Sequence, residues 1–432
     1  MSGSHLTRRG LLQVGSASFL GLSLPQLLRA QEVGLAAKNN DLSVILLFMW
    51  GGMPHQDMWD LKPGAPDDIR GPYQPIETNV PGIQIGELMP QCAKIADQYT
   101  LVRSVTHTEV EHPRAAHYMM TGNQIIRGSE WPNMGATIDK FGGPTGQLNS
   151  VVVGPRLIDQ PITPQGQDGG FLGNLHAPFR IADPLQPLDK IARLNPPAGL
   201  AETRSAQRRR LYDLVRGIEQ PVDTNETQAL EASYEKAFSI VNSPAARQAF
   251  DLSKEKDETR ERYGNHLFGQ GALMARRLVE AGVKFIQVNW REHPINNNGF
   301  DNHSDNFEKL EKTQGPEVDQ TYSALISDLQ QRGMLDRTLV LMTGEFGRTP
   351  KINNSKGRDH WPHCFSYLIT GGGIPGGRVI GSSDREAGLP ATNPVTPENT
   401  LASVFDMLDL DLDQLHKLRV LDDVHGIPGL FG

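Results

Sequence analysis

Near the end of the chain an apolar run, Thr338 to Met342 (TLVLM), breaks into TGEFGRTP, Thr343 to Pro350, and after a polar loop into GRDHWPH, Gly357 to His363. A buried strand that ends abruptly in Gly, Glu, Arg, Asp and His has its chemistry at its tip. In open α/β sheets, ligands bind beyond the carboxyl ends of strands. Glu345, Asp359 and His360 put two carboxylates and an imidazole at such a tip. Mixed oxygen and imidazole donors suit Zn or Mn better than a thiolate-selective metal, and Ca less well.

Three further polar clusters follow apolar runs. Gly51 to Asp60 (GGMPHQDMWD) holds His55 and Asp57. His107 to His117 (HTEVEHPRAAH) holds His112 and Arg114, with Thr106 just ahead. Asn296 to Phe307 (NNNGFDNHSDNF) holds Asp301 and His303, which lie on one side of an extended segment and can reach one cation. Alone, each is an ordinary loop; on one sheet edge they make a site. The candidate ligands of a metal ion are therefore Asp301, His303, Glu345, Asp359 and His360. Such an ion lowers the pKa of water and polarises a phosphoryl or sulfuryl oxygen. Arg114 and Arg348 are the candidate oxyanion clamps. Thr106 and His112 add a hydroxyl and a further imidazole to this edge.

The elements that must position these groups are legible as a rhythm. Ser43 to Trp50 (SVILLFMW) is a near-continuous apolar run, the pattern of a central parallel strand covered on both faces. Further strands are expected at Thr100 to Val105, Ser150 to Val153, Lys284 to Trp290, Thr338 to Met342 and Cys364 to Thr370. Helices are expected at Glu87 to Tyr99, Pro113 to Thr121, His266 to Ala281, Glu317 to Gln331 and Pro397 to Leu408. Strands alternating with helices predict an α/β fold, a mostly parallel sheet sandwiched by helices. From about Pro155 to Arg262 the composition turns to Pro, Gly, Gln and Asp and then to polar helical spacing, the character of an insertion or cap outside the sheet.

The 432 residues, 38% hydrophobic, suffice for one large core. The net charge is −8, and no run of Lys or Arg alternates with aromatics, which argues against a nucleic-acid partner. At the N-terminus, Arg8-Arg9 precede a weakly apolar, Gly- and Ser-rich stretch and then Arg29-Ala30-Gln31. This is the pattern of a twin-arginine export signal over residues 1–30, with residues 31–432 as one domain delivered by that machinery to the periplasm or outside the cell. No other segment is long and apolar enough to span a membrane, and the two cysteines, Cys92 and Cys364, read as buried free thiols.

WGGMPHQDMWDLKP (Trp50 to Pro63), HPRAAHYMMTG (His112 to Gly122), FDNHSDNF (Phe300 to Phe307), GEFGRTPKIN (Gly344 to Asn353) and GRDHWPHCFSYLITGGGIPGGRVIGSSD (Gly357 to Asp384) resemble the DUF1501 family of exported proteins. That family is similar to the alkaline phosphatase/sulfatase superfamily. The resemblance implies an alkaline-phosphatase-like fold and one or two metal ions used on phosphate or sulfate esters, free or carried on a polysaccharide. It aligns Asp301 and His303 with an Asp-plus-His ligand pair, His360 with a late His ligand, and Glu345 with an Asp-His pair. Departures accompany it. The first strand ends in Trp50-Gly51-Gly52 rather than a ligating Asp, so the resemblance implies His55 or Asp57 as the substitute ligand; Phe346 replaces an imidazole; and no Cys-x-Pro-x-Arg is present, with His112 near that position, so the nucleophile it implies is Thr106, His112 or a metal-bound water. A metal-dependent ester hydrolase is the leading expectation. A non-catalytic binding protein with a degenerate site is the alternative.

Overall fold

The computed structural model describes residues 41–142, 148–157, 162, 164–187, 244–291 and 299–431. The expected export signal and most of the expected polar helices lie outside them. Among the strands within them are β1 (Ser43–Met49), β2 (Tyr99–Val105), β3 (Ser150–Val153), β4 (Phe179–Ile181), β5 (Phe285–Trp290), β6 (Thr338–Thr343), β7 (Gly347–Arg348), β8 (His360–Trp361), β9 (Phe365–Thr370) and β10 (Arg378–Ile380). Eight of them form one sheet in the order β10-β2-β9-β6-β1-β5-β3-β4. Pairing is parallel throughout except at β9, which runs antiparallel to both β6 and β2.

Strand β1 is central because both its faces are apolar. Ile45, Leu47 and Met49 enter one core, with side chains of α3 (Leu267–Glu280) and α4 (Gly315–Gln331). Val44, Leu46 and Phe48 enter the other, with α1 (His112–Thr121), α2 (Met134–Phe141) and α5 (Pro397–Met407). The period of two along a strand sends successive side chains to opposite faces, so a run with no polar member needs a helical layer on each side. The expected α/β sandwich is what the structure has.

Three differences have local causes. The expected Glu87–Tyr99 helix is a kinked 3₁₀ segment, Cys92–Gln98, with Ile95 at φ −123°. The expected insertion contributes to the sheet: β4 pairs in parallel with β3. Short edge strands such as β4 and β10, three residues each, carry too few residues for periodicity to mark them.

The parallel order sends the carboxyl ends of β1, β2, β5 and β6 to one edge. Antiparallel β9 starts at that same edge, Phe365 facing Val105, so the β7–β8 ribbon leading into it lies there too. Two fully buried arginines pin the loops. Arg358 pairs bidentately with Asp57, 2.8 Å on each arm, and donates to the carbonyls of Ile69, Thr349 and Pro350. Asp57, expected as a metal ligand, is thus the counter-charge of Arg358 instead. Removing one partner of a buried ion pair leaves an uncompensated charge and costs about 3–5 kcal/mol. Arg358→Met is expected to lose stability of that order in urea unfolding; a loss under ~1 kcal/mol would show that the pair is not structural.

Candidate metal centre

The edge loops are stitched to one another by backbone bonds. Phe300 N–H donates to the Trp50 carbonyl at 2.8 Å, Arg358 N–H to Asn302 at 3.0 Å, and Thr349 N–H to Asp359 at 2.9 Å. Two glycines make the close approach possible. Gly52 sits at φ +78°, where a Cβ would lie 2.7 Å from the Phe346 ring, and a Cβ on Gly357 would lie 2.1 Å from the His303 backbone. The ribbon then sets His360 across from Arg348.

These constraints converge on one atom, Asp301 Oδ1. His303 Nε2 and His360 Nε2 lie 3.0 Å from it, His112 Nε2 3.2 Å and Arg348 Nη2 2.7 Å. The ligand atoms of His112, Asp301 and His360 all lie within 4.8 Å of one another. Each imidazole is oriented from behind. His112 Nδ1 is on Glu345 Oε1 at 2.6 Å, His303 Nδ1 on Asp359 Oδ1 at 2.6 Å, and His360 Nδ1 on the Val110 carbonyl at 2.8 Å. Carboxylates and a carbonyl only accept, so each Nδ1 carries the proton and each Nε2 turns a lone pair inward. The rings of Trp50 and Phe346 stand 5.0 and 4.9 Å from that of His112.

Lone pairs that face one another repel unless a cation or proton lies between them. His303 Nε2 and His360 Nε2 are 3.0 Å apart, and buried His112 Nε2 has no aligned hydrogen-bond partner. Burial holds the pKa of His360 below its ordinary value, against Asp301 and with Arg348, so this ring stays neutral. Burial also lowers that of His112, but the Asp301 and Glu345 carboxylates outweigh it and lift it to about 9. Without an ion, a proton on His112 is the counter-charge of Asp301. Donors at about 2.1 Å from a tetrahedral ion stand about 3.4 Å apart. The mutually close donors of His112, His360 and Asp301, with His303 Nε2 3.0 Å from the last two, therefore suit a divalent ion, with the Nδ1 partners acting as the orienting groups such sites use.

The expected ligands divide accordingly. Asp301, His303 and His360 come together. Glu345 and Asp359 are also present, but behind the rings rather than among the ligand atoms. Glu345 Oε1 additionally accepts from Gly51 N–H at 2.7 Å. His112, expected as a nucleophile, belongs to the ligand set. His55 does not reach the cluster: it is fully buried, with Nε2 on the Ala387 carbonyl at 2.9 Å. Arg348 is not a free clamp. It is fully buried, holds Asp301, and donates to the carbonyls of Gly51, Gly52 and Arg358. Arg114 is held bidentately by Glu109, at 2.5 and 2.9 Å. Thr106 is bound through its backbone to Val395 and has no described contact with the cluster. His107 is structural: it takes Glu109 N–H on Nδ1 and donates Nε2–H to the Glu345 carbonyl. Sequence reasoning missed Val110, whose contribution is a backbone carbonyl, and Arg358, to which it gave no role. Cys92 and Cys364 are buried and free.

The sequence pattern described as "Protein of unknown function (DUF1501)" matches residues 41–420. The chain belongs to the DUF1501 family. No curated protein matches it. Among solved structures, this DUF1501 chain is similar to the PsFucS1 sulfatase from Pseudoalteromonas sp., at 12% identity over 94% of this chain and 74% of that one, TM-score 0.39. It is also similar to a phosphonate monoester hydrolase from Silicibacter pomeroyi, at 14% identity, 86% and 73% coverage, TM-score 0.34. A third is the C-terminal periplasmic domain of EcEptC from Escherichia coli in complex with Zn, at 10% identity, 86% and 84% coverage, TM-score 0.38. Among the described residues no helix is long and apolar enough to cross a membrane.

Groups that orient a ligating imidazole change metal affinity about 10–100-fold when mutated. Glu345→Gln and Asp359→Asn are expected to weaken Zn binding within that range by competition with a chelator, while His360→Ala weakens it beyond that range. Equal losses for all three would make Glu345 and Asp359 ligands. A second expectation concerns acid. Burial lowers the pKa of His55 to about 4, against the pull of Asp60. Between pH 6.5 and 4 the unfolded chain protonates this ring and the folded one does not. Stability is therefore full above pH 6.5 and falls toward pH 4, by up to about 3 kcal/mol for a shift of this size. His55→Gln is expected to flatten the slope of stability against pH in that window; an unchanged slope assigns it to other groups.

Proposed function

We propose that this protein is an exported, metal-dependent hydrolase of phosphate or sulfate esters, of the alkaline phosphatase/sulfatase type. The observation that carries the reading is the convergence of three Nε2 lone pairs and the Asp301 carboxylate, each ring fixed through its Nδ1. Three imidazoles and one carboxylate suit Zn or Mn more than Ca. A divalent ion held there supplies Lewis-acid polarisation of an ester oxygen and acidifies water.

The chain's own groups do the remaining work. Arg348 fixes Asp301, while Glu345, Asp359 and the Val110 carbonyl fix the three rings, so little reorganisation is left for the reaction itself. Trp50 and Phe346 exclude water from the buried side. His303 and Asp359 are about half exposed, at 46% and 52%, so the site opens to solvent on that side and admits an ester borne on a polysaccharide. The Arg8-Arg9 motif supports export by the twin-arginine route. One observation favours the alternative, a non-catalytic binding protein: Arg114 and Arg348 are both engaged, so neither is free to grip an oxyanion.

Elemental analysis of protein purified from its export route is expected to find Zn or Mn, and chelation to remove both the metal and ester turnover. Restored metal should restore turnover, and His360→Ala should abolish it. Bound metal with no turnover on a panel of phosphate, phosphonate and sulfate esters would favour the binding protein. Absence of bound metal after reconstitution would reject both readings.

A further inference from the structure

The charges behind the ligand set say more than which element fits. Among the described residues, three carboxylates belong to this cluster: Asp301 at its centre, and Glu345 and Asp359 behind the rings of His112 and His303. One cation, Arg348, answers them. The buried carboxylates next to them are compensated, Asp57 by Arg358 and Glu109 by Arg114, and the remaining charges of these loops, Glu111, Asp305 and Lys356, are exposed to solvent. The protein thus presents two net negative charges, and a single divalent ion cancels them.

Arg348 also stands where a second ion would need to share Asp301. Its Nη2 is 2.7 Å from Oδ1, it is fully buried, and it is tethered to the carbonyls of Gly51, Gly52 and Arg358, so it cannot swing away. The carboxylates around the ligand atoms are committed, Asp57 to Arg358, Glu109 to Arg114 and Asp359 to His303, while Glu111 and Asp305 beside them are exposed to solvent.

We propose that the centre holds one metal ion and selects an ester carrying a single negative charge, such as a sulfate monoester or a phosphodiester, over a doubly charged phosphate monoester. This rests on the hydrolase reading above. With one ion in place the site is neutral, and a singly charged ester leaves it one charge out of balance where a dianion leaves it two. A second negative charge would need a free cation, and both arginines nearest the site are held by carboxylates. Like-charge excess in a partly buried site is penalised much more than in water.

Native mass spectrometry of the metal-reconstituted protein in excess Zn or Mn counts the ions, and steady-state kinetics at pH 8 compares matched leaving groups. The expected mass increment is one ion per chain. Expected kcat/KM for 4-nitrophenyl sulfate or bis(4-nitrophenyl) phosphate exceeds that for 4-nitrophenyl phosphate by at least tenfold. Two ions, or equal or greater kcat/KM for 4-nitrophenyl phosphate, would overturn the proposal and leave the metal-hydrolase reading intact. No bound ion, or an ion with no turnover of any of the three esters, would remove the hydrolase reading and this selectivity with it.

Discussion

The functional edge is organised around one carboxylate oxygen, Asp301 Oδ1, and the buried guanidinium that holds it. Arg348 carries a full charge out of water, which is tolerable only because Asp301 lies 2.7 Å away and backbone carbonyls take other donors. Those carbonyls belong to Gly51 and Gly52 beyond β1 and to Arg358 before β8, so the ion pair also fixes where three loops stand. The imidazoles then have one place to point. Asp301 is at once the counter-ion of a structural arginine and the centre of the candidate site, which ties the geometry of the site to the stability of the edge.

Rigidity at this edge comes from how little is left unpaired. His112, His303 and His360 are each held through Nδ1, and Arg358 holds the loop beneath through Asp57. Buried His112 Nε2 is an exception, as is Glu345 Oε2 behind it. Without an ion a proton on His112 answers Asp301, and a divalent ion held there would displace that proton. A buried polar atom without a partner is a place where a ligand can be accommodated.

Much of this was legible in the residues. The six principal strands were visible because each is an apolar run bounded by polar loops, and α1 was visible through Gly122, which ends it in the left-handed conformation at φ 68°. The four polar clusters were visible because each follows a strand. Asp301, His303 and His360 were identifiable by donor type. The antiparallel direction of β9 was not, since an apolar run has no direction; yet that direction brings His360 to the same edge as Asp301. β4 was misread as part of an insertion because three residues carry no periodic signal.

What the sequence determined by itself was the inventory: an α/β core, an edge where polar loops must gather, and a set of Asp, Glu and His able to bind a metal. Those follow from hydrophobic pattern and donor chemistry, which are properties of residues one at a time. Only the tertiary structure decided the roles. Asp57 went to Arg358, Glu345 and Asp359 went behind the rings, His112 joined the ligand atoms, and both candidate clamps were already engaged. The reason is that a carboxylate or imidazole can serve as ligand, orienting acceptor or counter-ion with the same atoms. The choice depends on which charge is buried nearest to it, and residues 294 and 301 positions apart, Gly51 with Glu345 and Asp57 with Arg358, settle that only when the chain folds.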